Sequence, residues 1–131
     1  IIQNNIKKLQ TLRNGELTIV CTINVLNVGH LTKLFDKTNY RVTFSSLVTD
    51  NVYSLNSLHP KLKEMYLNQY YSQVRKYQGQ QRQEIIKLIK YLENSTFNPN
   101  DHQAFLQSVQ CRDQHRKTNI QHILKEYSQI L

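Results

Sequence analysis

The sequence predicts an α/β chain in which two neighbouring parallel strands lead into a mostly helical C-terminal region, and three observations predict it. Leu17 to Leu26 (LTIVCTINVL) is a mostly apolar stretch in which Ile19, Val20, Ile23 and Val25 are β-branched, the pattern of an interior strand covered on both faces. A second, weaker strand pattern, Arg41 to Val48 (RVTFSSLV), follows after one short segment. Beyond it, apolar residues recur only at helical spacing.

Taken in order, Ile2, Ile6, Leu9 and Leu12 recur at helical spacing with Lys7, Lys8 and Arg13 on the other side, so residues 1–13 read as an amphipathic helix ended by Asn14-Gly15. The first strand follows. Asn27 and Gly29 then supply a turn into a short helix carrying Leu31, Leu34 and Phe35. Helix, strand, helix, strand within so short a span is the order of parallel strands joined by a crossover. Residues 49–58, rich in Ser and Asn, read as a loop. Pro60 suits the first turn of a helix whose stripe is Leu62, Tyr66, Tyr70, Val74 and Tyr77. A further helix carries Ile85, Leu88, Ile89 and Leu92, residues 94–100 form a linker, Asp101 is placed to cap the next helix, and Ile120, Ile123 and Leu124 open a short terminal one. The division is residues 1–58 as the βα segment and 59–131 as the helical segment, within one folded unit.

Composition narrows the partners. The 131 residues hold 17 Lys and Arg against 9 Asp and Glu, a net charge of +8, which makes an anionic partner worth testing. The two cysteines, Cys21 and Cys111, have no partner spacing, so a disulfide framework is not indicated and Cys21 reads as a small buried hydrophobe. No apolar run reaches the roughly 18 residues a membrane span needs, and no signal peptide is visible. A cytoplasmic location follows as the expectation. The opening Ile1-Ile2, lacking Met and lying inside a helical pattern, predicts a preceding segment of the parent protein or another chain as a partner.

Candidate chemistry gathers at the carboxyl ends of parallel strands, where the loops begin. Period two places Thr18, Thr22 and Asn24 on one face of the first strand, and Thr43 and Ser45 share a face of the second, with Ser46 at its far end. Such polar residues on one face suit a wet crevice; hydrogen bonding to neighbouring backbone is the plainer role. A metal reading of Cys111 and His115 with His102 and His122 fails on the cationic Arg112, Arg116 and Lys117 between them. No complete catalytic signature occurs, so whether the chain is an enzyme is left open.

Nucleic acid is the competing reading. Arg75, Lys76, Arg82, Lys87 and Lys90 interleave with Tyr66, Tyr70, Tyr71 and Tyr77, a composition that single-strand binders use for phosphate contact and stacking. Three of those tyrosines also lie on the apolar stripe, where core packing accounts for them. No helix-turn-helix, zinc-finger or RNP pattern is present.

The strand ending in INVLNVGHLTKLF, the second strand running into SLVTDNVYSLNSLHPKLKE, and the late FLQSVQCRDQHRKTNIQHILKEYSQIL resemble the C-terminal part of twitch-domain radical SAM proteins. The matching residues are Asn27, Leu58-His59-Pro60 with Lys63, Asp113 with Arg116, and Lys125-Glu126, where Lys125 replaces the family's Pro. The family's CxxxCxxC loop does not occur in the chain, so it contains no iron-sulfur cluster ligands. The resemblance implies the late strands of a partial (βα)6 barrel plus a helical tail, contributing barrel wall to an S-adenosylmethionine-dependent enzyme. It implies S-adenosylmethionine as cofactor, contacted by Thr22, Asn24, Asn27, Ser45 and Ser46. The alternative is a small basic nucleic-acid-binding or assembly module using residues 61–90.

Overall fold

A computed structural model describes residues 2–9, 11, 16–49 and 51–129 of the chain. The order is α1 (Ile2–Leu9), β1 (Thr18–Ile23), α2 (Lys33–Lys37), β2 (Arg41–Leu47), a 3-10 turn (Leu55–Ser57), α3 (Pro60–Gln73), α4 (Gly79–Asn94), α5 (Pro99–Arg116), α6 (Ile120–Ile123) and a second 3-10 turn (Lys125–Gln129). The chain is mixed α/β, with the two strands parallel and adjacent as the helix-strand alternation predicts. The Asn14-Gly15 stop expected after α1 lies outside the described residues.

The first strand is shorter than its apolar run. β1 stops at Ile23 because the side-chain oxygen of Asn24 accepts the backbone N–H groups of Leu26 (2.9 Å) and Asn27 (3.1 Å), which bends the chain into a turn. Val25 and Val28 are buried in that turn instead of extending the strand. Nor is β1 covered on both faces. Ile23 is fully buried and Ile19 and Cys21 partly so, whereas Thr18, Val20 and Thr22 are exposed, Val20 at 60%. One continuous apolar run thus combined a one-sided strand with a buried turn.

The register pairs Thr18 with Arg41, Val20 with Thr43, and Thr22 with Ser46, so β2 accommodates one extra residue between Thr43 and Ser46 while β1 stays regular. Before that bulge, β2 turns the carbonyl of Val42 and the N–H of Phe44 away from β1, and α4 closes both. Gln80 Nε2 donates to the Val42 carbonyl at 2.8 Å, and the Phe44 N–H donates to Glu84 Oε2 at 2.7 Å. Side chains of a helix therefore replace the missing neighbour strand, one way of protecting an edge.

A single cluster of buried side chains runs from Ile23 through Phe44, Leu62, Ile85, Leu92 and Phe105 to Tyr127, drawing on both the βα and the helical segments. The turn after β1 sits at its centre. Tyr70 donates its hydroxyl to the Val28 carbonyl, Tyr127 to the Val25 carbonyl at 3.2 Å, and Gln69 Nε2 to the Gly29 carbonyl at 3.0 Å. Burial pushes both tyrosine hydroxyls far above their ordinary titration range. Gly29 lies so close to Tyr66 that a Cβ there would come within 2.2 Å of the ring. The helix starts mostly follow the sequence, but α3 stops at Gln73, short of the Val74 and Tyr77 expected on its stripe. Pro60 opens α3, with the His59 ring accepting the Lys61 N–H at 3.2 Å. The cap of α5 is Asn98, whose side-chain oxygen accepts from Asn100 and Asp101, so Asp101 lies in the first turn instead of capping it.

Candidate functional site

The loops that leave the carboxyl ends of β1 and β2 are tied to each other, the Val25 N–H donating to the Tyr53 carbonyl at 2.9 Å. Against them packs the C-terminal half of α5, and between the three lies a cleft of about 370 Å³. Its apolar lining is Leu26, Val109, Ile120 and Leu124. Tyr53 forms one wall, held edge-on to Phe105 at 5.8 Å between ring centroids and sharing a 2.9 Å hydrogen bond with Ser108 Oγ. The Arg112 guanidinium lies 4.9 Å from the centre of the Tyr53 ring, within cation–π range. Arg116, one helical turn further on, also lines the cleft.

Asp113 also lines the cleft, between the two arginines in sequence, but both of its carboxylate oxygens are engaged. One oxygen accepts from Thr118 Oγ1 at 2.8 Å and the other from the Ile120 N–H at 2.7 Å, so this side chain anchors the entry to α6. Among the described residues neither Arg112 nor Arg116 takes part in an ion pair. The cleft therefore combines an apolar floor, one aromatic face, two guanidinium groups and one carboxylate already hydrogen-bonded to Thr118 and Ile120. That set can hold a flat ring by packing and an anionic group by charge-assisted hydrogen bonds. Adjoining the cleft, and sharing Val109, Asp113, Thr118 and Ile120 with it, a larger groove of about 780 Å³ carries Gln103, Gln107, Gln110 and Gln114 of α5, a ladder of neutral amides with Lys117 at its end.

Of the residues expected to contact a cofactor, Thr22 and Ser45 are exposed on the sheet, and Thr22 is paired in register with Ser46, whose side chain lies outside the described set. Asn24 and Asn27 serve the turn. Asn27 Oδ1 accepts the Asn24 N–H at 2.9 Å, and its Nδ2 donates to the Thr22 carbonyl at 2.8 Å. Thr22, Asn24, Asn27 and Ser45 do not line the 370 Å³ cleft. The residues that do, Tyr53, Arg112 and Arg116, carry a signal of their own in two arginines spaced i, i+4 on a helix, which in the sequence oppose a metal and of which Arg116 also matches the family pattern.

The basic stretch separates into its parts. Arg75, Lys76, Arg82 and Lys90 are exposed, while Lys87 donates to Glu84 Oε1 at 2.8 Å. Tyr66 and Tyr70 are core residues, Tyr77 packs on Phe35 at 5.3 Å, and only Tyr71 is open to solvent, with its hydroxyl bonded to Glu93. A charged face results, without a row of stacking rings. Two carboxylates are held inside the fold. Burial of Glu84 would raise its pKa, but hydrogen bonds from Lys87, the Phe44 N–H and Thr43 outweigh it and hold the carboxyl below the usual range. Glu126 is likewise held low against its burial, partly by His30 Nε2 at 2.5 Å and the Tyr66 hydroxyl at 2.9 Å. Among the described residues no three His, Cys, Asp or Glu side chains gather as metal ligands, and no helix is long and apolar enough to cross a membrane.

No protein-family model, curated protein or solved structure matches this chain.

Proposed function

We propose that this chain is a ligand-binding α/β module whose cleft at the carboxyl ends of β1 and β2 takes an anionic ligand bearing a flat ring, of the nucleotide class. The observation that carries the reading is the Arg112 guanidinium over Tyr53, with Arg116 beside it above an apolar floor. Its position agrees with the general rule for parallel sheets, whose ligands bind beyond the carboxyl ends of the strands.

The radical SAM resemblance points to the same end of the strands but to a different ligand charge. S-adenosylmethionine offers a sulfonium and an ammonium against one carboxylate, a net cation that two guanidinium groups oppose. Asn24 and Asn27 are spent on their own turn, so the side chains present do not fit that cofactor. A phosphorylated nucleoside has the same ring with the opposite charge. The role of barrel wall in a larger enzyme retains one support: β2 has its outer edge closed by Gln80 and Glu84, as befits the last strand of a partial barrel.

The test is calorimetric titration with ADP, adenosine and S-adenosylmethionine. ADP is expected to bind, more weakly as salt rises, with adenosine weaker still; binding of S-adenosylmethionine alone would overturn the reading.

A second reading rests on Arg75, Lys76, Arg82 and Lys90, exposed and outside any ion pair among the described residues. They form a phosphate-contacting face for nucleic acid without sequence readout. Retention on a polynucleotide column that falls as salt rises supports it, and retention indifferent to salt counts against it.

A further inference from the structure

The two edges of the sheet are treated differently. β2's outer edge is filled by the side chains of Gln80 and Glu84. On β1, the Val48 N–H donates to the Ile23 carbonyl at 3.0 Å, so Ile23, Cys21 and Ile19 direct their backbone groups at β2 and Thr22, Val20 and Thr18 direct theirs outward. Among the described residues no hydrogen bond reaches the outward groups of Thr18 or Val20. The Thr22 carbonyl accepts from Asn27 Nδ2 and keeps a second lone pair.

Among the described residues, β1 lacks several of the usual devices that blunt an edge. Residues 17–26 contain no charge and no proline, and the bulge lies on β2. Val20, at 60%, is the most exposed of the large apolar side chains among the described residues.

We propose that the outer edge of β1 is a self-association surface on which β1 of a second copy pairs antiparallel about Val20. The choice of a second copy rests on the symmetry of the outward residues. Thr18, Val20 and Thr22 read the same in both directions, so a twofold axis at Val20 sets Val20 against its own copy and Thr18 against Thr22. Such an isologous contact is self-complementary, and Thr–Thr and Val–Val are favourable cross-strand pairs. The result is a four-stranded sheet whose two outer edges are both the protected β2. A contact this small gives a dimer that depends on concentration. Because each copy carries +8, salt strengthens it by screening, opposite to its effect on an anionic ligand.

Sedimentation equilibrium of the chain across protein and salt concentration tests this. The expected result is a monomer–dimer equilibrium that tightens as salt rises, is retained in Val20→Ile, and is lost in Val20→Lys, which sets two like charges face to face. Circular dichroism of all three proteins should coincide, since the Val20 side chain is outside the core. A chain that stays monomeric at every concentration and salt, as one would whose β1 edge awaits another chain's strand, overturns the proposal. So does a Val20→Lys chain that dimerises like the parent. Dimerisation without nucleotide binding would overturn the cleft and leave this edge standing.

Discussion

Glu84 Oε2 accepts the backbone N–H of Phe44 at 2.7 Å, so a carboxylate on α4 completes the hydrogen bonding of a β-strand forty residues earlier. The side chain is only 5% exposed, and Lys87 holds its other oxygen at 2.8 Å. Removing it strands a buried N–H and leaves Lys87 without its partner. Glu84→Ala should cost about 1–3 kcal/mol of stability, the penalty for an unsatisfied buried donor. Urea denaturation at neutral pH checks it, and a change within the scatter of surface substitutions would show that water serves the edge equally well.

The same carboxylate makes stability depend on pH with a definite sign. Its folded pKa, like that of Glu126, lies below the ordinary value near 4.3, so the folded state binds fewer protons than the unfolded state as pH falls through that value. The stabilisation is therefore fully present above that value and is lost as pH falls through the lowered folded pKa. Thermal melts between neutral and acid pH should show Tm falling below about pH 5, less steeply in Glu84→Gln. A flat profile in the parent chain would contradict the assignment.

Gly29 is a glycine because of Tyr66. A Cβ at that position would lie 2.2 Å from the ring, and the ring is buried and bonded through its hydroxyl to Glu126. Gly29→Ala should destabilise by roughly 1–3 kcal/mol through overpacking, and pairing it with Tyr66→Leu should recover part of the loss. Gly29→Ala with unchanged stability would mean that the turn can move away.

Asn24 and Asn27 were expected to touch a cofactor, and the two roles separate experimentally. As turn residues, each replaced by Ala should cost about 0.5–2 kcal/mol, the range for losing a side-chain cap, while leaving ligand affinity unchanged at temperatures where the variant is folded. A tenfold or greater loss of affinity with normal stability would return them to the binding site.

Much of the fold was legible because local chemistry and tertiary packing agree. Pro60 opens α3, the period of Leu62, Tyr66 and Tyr70 gives its buried face, and the two strands pair in parallel. The limits of β1 were not, since Val25 and Val28 look the same in sequence whether they extend a strand or fill a buried turn. The edge closure by Glu84 was hidden for another reason: it joins residues forty apart that share no pattern. The candidate cleft was legible only in its position. The rule about strand ends points to the end of the sheet where the cleft lies, but period two chose the polar residues on the strands themselves. Tyr53 and Arg112 come from a loop and a distant helix, and only folding sets them 4.9 Å apart.

A two-dimensional amide NMR titration of the chain with ADP tests the nucleotide cleft residue by residue. Shifts are expected to concentrate at Leu26, Tyr53, Val109, Arg112 and Ile120, saturating with ligand, with affinity weakened about tenfold in Arg112→Ala, which is ~1.4 kcal/mol. Shifts confined to Arg75, Lys76 and Arg82, or to the glutamine ladder of α5, would contradict it.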